Sequence, residues 1–302
     1  MRNYVTLLGK EMMILIVCAV TGLAALVMTY FIPPRYIHDN VYESAIVLYR
    51  EGLGAHIWEN IEETMLDVYT DGLLLNVTYT ETGDGRTDIL MGTHVEVDGK
   101  NPMNSLFEVI ALANDNYIVK HYGRYWHGYQ VILKPLLCLF TYSDIRQINM
   151  ILQLALVFLL LGILIRSGNW ILVLPFFGMY VFLSPISLFS SLQYSPCFYI
   201  MMFALIAIFG FGKNMNDTHM NYLFLAAGIA TAYFDLLTYP LITLAVPLIA
   251  CLGSDRRWIS AASKKIWGGG ILLYNFMVYR ICGNVVFKMD HCFGVDRRKC
   301  YI

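Results

Sequence analysis

Three stretches carry side chains whose types and spacing could do chemistry. The first is His38-Asp39-Asn40, a few residues beyond an apolar run. A carboxylate there sits at a water–lipid boundary, where it can face both a lipid-borne group and a soluble one. Burial beside the membrane would raise a carboxyl's pKa, and would then suit Asp39 to take a proton from a hydroxyl. A solvated loop aspartate, or the cap of a following helix, explains the same residue more plainly. The second stretch is Tyr122-Gly123-Arg124-Tyr125-Trp126-His127-Gly128-Tyr129, followed by Lys134-Pro135. On a helix, spacings of three and seven put Arg124, His127 and Lys134 broadly on one face. Three potential cations suit a phosphate, which Arg can bind in a bidentate way. Snorkelling to lipid headgroups among interfacial Tyr and Trp explains them equally well. The third stretch is Tyr233-Phe234-Asp235-Leu236-Leu237-Thr238-Tyr239-Pro240, in which Asp235 is the only carboxylate inside any predicted span. An ionisable group at that depth is by default a functional-site hypothesis. The alternative is a helix-end aspartate bonded to a neighbouring helix.

Other chemistries lack their residues. There is no Walker loop, no Gly-x-Gly-x-x-Gly and no His-Glu-x-x-His. The seven cysteines form no Cys-x-x-Cys pair, and residues 33–137 contain none, so a disulfide framework and a structural zinc site are not expected. His38, Asp39 and Asp235 could offer ligands to a divalent metal, but nothing in their spacing demands one. Ser191-Leu192-Gln193-Tyr194-Ser195-Pro196 adds polar groups, and the Asn76-Val77-Thr78 sequon carries no weight here.

The elements that must position these residues follow from composition. Of 302 residues, 58% are hydrophobic and 14% charged, with mean hydropathy +0.56. A soluble domain typically carries about 25% charged residues. A formal charge of −1 excludes nucleic-acid binding by bulk electrostatics. The apolar residues cluster in runs at 12–32, 148–165, 170–189, 198–211, 222–239, 241–252 and 266–279. The first run is charge-free and long enough to cross a hydrocarbon core of about 30 Å. The expected fold is an all-α polytopic membrane protein of about seven transmembrane helices. Arg2 and Lys10, Arg166, Lys213, and Arg256, Arg257, Lys264 and Lys265 fall before the first run and then in alternate connections. The positive-inside rule therefore predicts a cytoplasmic N-terminus in the plasma (cytoplasmic) membrane.

The chain divides into residues 1–32, an extracytoplasmic loop at 33–147, a helical membrane domain at 148–279 and a tail at 280–302. The loop holds 16 of the 22 acidic residues and 8 of the 21 basic ones, a formal charge of −8. It is expected to be mixed but mainly helical: a surface helix over 41–58, a strand over 73–80 with a turn at Gly83-Asp84-Gly85, a helical period over 104–120, and an aromatic helix over 122–140.

One helix, a large outer loop with an aspartate near its start, amphipathic helices within it and then short-looped spans: this layout resembles the GT-C class of membrane glycosyltransferases. The stretches YGRYWHGYQVILKPLL and YFDLLTYPLITL are also similar to those of uncharacterised bacterial membrane proteins with the same layout. The resemblance covers roughly residues 10–280 in layout. It implies transfer of a sugar from a polyprenyl-phosphate carrier on the outer face, with Asp39 in the position of the catalytic base. A familiar variant of the class has two adjacent acids, where this chain has Asn40. The resemblance further implies basic residues, Arg124 and Lys134, on the carrier phosphate. His38, Trp126, His127 and Tyr239 line the expected substrate site, and Asp235 is a second candidate acid. Some members of the class use a divalent metal. The expected partners are membrane lipid and a polyprenyl-phosphate-linked sugar, with no nucleic acid.

Two other function classes compete. Asp235 beside a broken Tyr239-Pro240 helix fits a transporter or flippase, and a non-catalytic assembly protein is the third. The tail at 280–302 has five basic residues in 23 and no membrane periodicity. A shifted reading frame would explain it, because Met277-Val278 and Met289-Asp290 each place a Trp codon one base later.

Overall fold

The computed structural model describes residues 2–236 and 238–254. The expected span at 266–279 and the tail at 280–302 lie outside the described residues. The fold is mostly helical. Helix α1 (Arg2–Thr29) leads through a 3-10 turn at Pro34–Tyr36 into α2 (His38–Glu51), α3 (Val68–Tyr79), α4 (Gly85–Met91), strand β1 (Thr93–Glu96), α5 (Pro102–Ala111), strand β2 (Ile118–His121) and α6 (Gln130–Leu137). Six further helices follow among the described residues: α7 (Tyr142–Arg166), α8 (Val173–Phe182), α9 (Pro185–Ser190), α10 (Ser195–Phe211), α11 (Asp217–Phe234) and α12 (Pro240–Ser254). Among the described residues, three segments are long and apolar enough to cross a membrane: Gly9–Thr29, Tyr142–Arg166 and Leu192–Phe211. Trp170–Phe182 and Pro240–Gly253 are apolar but shorter.

The apolar residues divide into separate cores. In the polar layer, Ile37, Val41, Ala45 and Leu48 of one face of α2 meet Leu74 and Leu75 of α3, Met103 and Leu106 of α5, Leu133 and Leu137 of α6, and Tyr142 and Ile145 of α7. The 3–4 spacing along α2 is what lets one stripe enter that core. A second core joins α7, α8, α9 and α10 through Val157, Leu160, Phe176, Tyr180, Leu188, Phe198 and Met201.

Several expected elements differ from the observed ones. The run 73–80 is not a strand but falls in the end of α3, whose residues 71–78 are all buried and so show no amphipathic period. Its three leucines are good helix formers, and Asp67 caps the helix by accepting a hydrogen bond from the Thr70 amide at 3.0 Å. Gly72 sits where a Cβ would overlap Met103, so α3 and α5 cross closely. The helix expected over 41–58 stops at Gly52, whose φ is +73°. The period at 104–120 belongs to α5, which starts at Asn101 rather than Asn104, and then to β2, which pairs antiparallel with β1 in the register Thr93 opposite His121. The segment 122–140 is helical only over Gln130–Leu137, because His127 adopts φ +56°. The apolar run 170–189 is broken at Ser184 (φ +52°) just before Pro185.

Candidate functional site

Asp39 lies in the first turn of α2, where the helix dipole favours a negative charge, and it is exposed. Its neighbours are fixed. His38 Nδ1 is 2.8 Å from the Tyr79 hydroxyl, and the Asn40 amide donates to the Leu137 carbonyl at 2.8 Å. Ile37 and Val41 are fully buried on either side. Among the described residues no hydrogen bond or ion pair reaches the Asp39 carboxylate, so a rigid helix start presents it to solvent. Asn40, in the place of a second acid, is a brace.

Lys134 is placed differently from its expected role. It is fully buried, with its ammonium 2.5 Å from Glu81 Oε1 and 4.7 Å from the centre of the Tyr30 ring. The Tyr30 hydroxyl donates to the Asp88 carbonyl at 2.8 Å. The Asp88 carboxylate takes the amide and the hydroxyl of Thr82, both at 2.8 Å. This group ties the end of α1 to α4 and α6, and the Lys134 charge is neutralised within it.

His127 is also internal. Its Nε2 is 2.7 Å from the Tyr122 carbonyl and therefore carries the hydrogen; Nδ1 lies 3.3 Å from the Tyr129 hydroxyl. The ring fills the space a Cβ on Gly92 would need. Arg124 is exposed, its guanidinium 5.6 Å from the centre of the Tyr125 ring. Arg124, His127 and Lys134 thus do not share a helical face, because 122–129 is not helix.

Two of the three sequence stretches do meet. The Gly128 amide donates to the Tyr233 carbonyl at 3.0 Å, Trp126 lies against the Tyr233 ring at 6.2 Å, and the Tyr233 hydroxyl donates to the Gly22 carbonyl of α1 at 2.6 Å. Neither Gly22 nor Gly128 has room for a Cβ beside that ring. Two residues on, Asp235 ends α11 in an extended conformation rather than lying inside a span. It is buried and accepts from the Thr238 amide at 2.9 Å. Tyr239 lies against Tyr194 at 5.4 Å. The turn between α11 and α12 is therefore flanked by residues 126–128 and by residues 193–194. Asp39, His38 and Asp235 are not gathered into a ligand set: no group of three His, Cys, Asp or Glu able to hold a metal occurs among the described residues.

The sequence reading missed two features. Arg35, in the 3-10 turn between α1 and Asp39, is exposed and lies 5.1 Å from the Tyr36 ring centre. Its signal was position alone, four residues before Asp39. The other is a buried clasp. Asp71 accepts the Tyr142 hydroxyl and the amides of Leu192 (2.8 Å) and Gln193 (3.0 Å), and the Gln193 side chain donates to Asp67. Arg146 grips Glu51 with two nitrogens, at 2.5 and 2.9 Å, and donates to the Tyr142 hydroxyl at 2.7 Å. Burial pushes the Asp71 carboxyl up to about 6 against the opposing pull of its donors and of Arg146. Glu51 and Arg146 also floor an open depression of about 660 Å³ rimmed by His56, Glu59, Asn60 and Glu62, at the opposite end of α2 from Asp39. No protein-family model, curated protein or solved structure matches the chain.

Proposed function

We propose that the chain is a membrane-embedded glycosyltransferase-like enzyme that moves a sugar from a polyprenyl-phosphate carrier to an acceptor hydroxyl on the extracytoplasmic face. In this reading the N-terminus is cytoplasmic, about seven helices cross the membrane, and α2 to α6 form the outer layer. The observation that carries it is Asp39: an unpaired, exposed carboxylate held on a helix start, ten residues past the end of an apolar helix. Asp39 takes the proton of the acceptor hydroxyl as its oxygen bonds to the anomeric carbon. The bond from that carbon to the carrier phosphate breaks, and the lipid phosphate leaves with the electron pair. Arg124 and Arg35 are exposed and stabilise the departing phosphate; Lys134, already paired with Glu81, supports the layer instead. A divalent metal remains compatible with the chemistry but has no ligand set among the described residues.

The test is transfer of radiolabelled sugar from a panel of polyprenyl-phosphate sugars in proteoliposomes, comparing the parent chain with Asp39→Asn. Loss of a general base lowers the rate by about 10²–10⁴-fold. Parent-level transfer by Asp39→Asn overturns the assignment of the base. A transporter reading draws on Asp235, buried at the break between α11 and α12. Uptake or flipping of a lipid-linked substrate without transfer would favour it.

A further inference from the structure

The segment between α2 and α3 is a closed, well-braced loop. The Ile57 amide bonds the Thr64 carbonyl at 3.2 Å and the Leu66 amide bonds the Ala55 carbonyl at 2.8 Å. The buried Thr64 hydroxyl joins the loop internally, accepting from the Trp58 amide at 3.2 Å and lying 2.8 Å from the Ile61 carbonyl. Yet this braced loop leaves large apolar side chains uncovered: Ile57 is 42% exposed, Trp58 55%, Ile61 42% and Met65 46%. A concentration of this kind on a short, ordered loop marks an interaction surface.

Its position says what covers it. The Ser187 hydroxyl of α9 donates to the carbonyls of Glu63 (2.7 Å) and Met65 (2.9 Å), and Ser191 accepts from the Asp67 amide at 3.0 Å. The loop is thereby fastened to α9, which follows the apolar α8 after the break at Ser184. The neighbouring end of α8 carries Phe182, 92% exposed, and Val181, 54% exposed. Such side chains on a charge-free helix face lipid, and the loop continues that apolar surface past the helix end.

We propose that the 57–65 loop is an interfacial anchor whose Trp58, Ile57, Ile61 and Met65 side chains enter the headgroup–acyl boundary of the outer leaflet. Trp is the residue best suited to that layer, with an apolar body and one N–H for the wet side. Glu59, Glu62 and Glu63 in the same loop select a zwitterionic surface over an anionic one. The proposal rests on the membrane-spanning reading of the flanking helices and not on the transferase chemistry.

The test is fluorescence of the full chain in phosphatidylcholine vesicles, with Trp126, Trp170, Trp258 and Trp267 replaced by Phe so that Trp58 alone emits. At an insertion depth of roughly 5–10 Å, lipids brominated just below the headgroup quench Trp58 on the order of twofold more than lipids brominated near the chain ends. Acrylamide in the water quenches it weakly. A second comparison, between the natural chain and Trp58→Phe alone, avoids the multiple replacement: the shallow-lipid quenching must fall in the variant. Strong acrylamide quenching with no response to brominated lipid overturns the proposal in favour of a water-facing loop. Protection from both quenchers overturns it in favour of a protein partner.

Discussion

Asp71 offers a direct contest between desolvation and hydrogen bonding. It is fully buried and accepts three hydrogen bonds, which favour the ionised form, yet burial raises its pKa from 3.8 to about 6. The folded state therefore binds the proton more tightly than the unfolded one. Stability that is fully present below about pH 4 is lost as pH rises to about 6. The shift corresponds to about 3 kcal/mol, the cost of keeping this carboxylate charged inside the fold at neutral pH. Asp71→Asn removes the titration and keeps one acceptor oxygen, enough for either the Leu192 amide on Oδ2 or the Gln193 amide on Oδ1; losing the other bond lowers stability by an amount that does not vary with pH. Denaturant unfolding of both chains in a mild detergent, from pH 3.5 to 7.5 in steps of about half a unit, isolates the effect as a difference, because all other groups titrate in both. Relative to Asp71→Asn, the parent chain should lose about 3 kcal/mol across the window. A flat difference, or one in which the parent gains stability with pH, refutes the reasoning. The second result would mean that the donors and Arg146 hold Asp71 ionised.

Further outcomes follow from other contacts. Gly128→Ala and Gly22→Ala each put a Cβ into the Tyr233 ring, and each should cost about 1–3 kcal/mol in detergent unfolding; a neutral result would show that the ring can move aside. Lys134→Met leaves Glu81 without its cation and should cost about 3 kcal/mol, the low end for a broken buried pair because Glu81 keeps 23% exposure. Adding Glu81→Gln should restore most of that loss in the same melts. The Asn76 side chain donates to the carbonyls of Val95 and Pro102, each at 2.9 Å, and accepts from the Val95 amide at 3.0 Å. Asn76→Ala should therefore lower stability by about 2–3 kcal/mol through unpaired buried backbone groups, and expression in a glycosylating host should leave the folded protein's mass unchanged.

What could be read from the sequence was what repeats along the chain. The charge-free runs at 12–32, 148–165 and 198–211 lie within α1 (with its trailing turn), α7 and α10, because lateral burial in a uniform medium needs only length and polarity. The buried apolar residues gather into separate cores, one centred on α2, α3, α5 and α6 and one on α7 to α10. α3 was misread because a helix buried all round carries no period, and local strand formers then dominate. The break at Ser184 was available in the Ser-Pro dipeptide; the left-handed turn at His127 was not, and its ring fits only because Gly92, distant in the chain, has no Cβ. Asp39 was legible as an acid near the end of an apolar run. Lys134 was legible only as a cation, because the residue that neutralises it lies 53 positions away. Tyr233 anchors to a glycine carbonyl 211 positions away, a contact that leaves no trace in residue type.

The clasp on Asp67 and Asp71 also sets an order of assembly. Every one of its bonds to residues 187–193 spans between 121 and 126 positions of chain. A ribosome delivers α2 to α6 long before it delivers Ser187, Ser191 and Gln193. Until then the Asp67 and Asp71 carboxylates lack the amides that donate to them, and the 63–71 segment has nothing to close against. The layer can gather its own apolar core early, but its seal waits for α9 to arrive. Contacts of such long range form late and slowly. The last part of the layer to close is thus timed by the arrival of α9 and residues 191–193, so a chain halted before residue 187 carries an open seam.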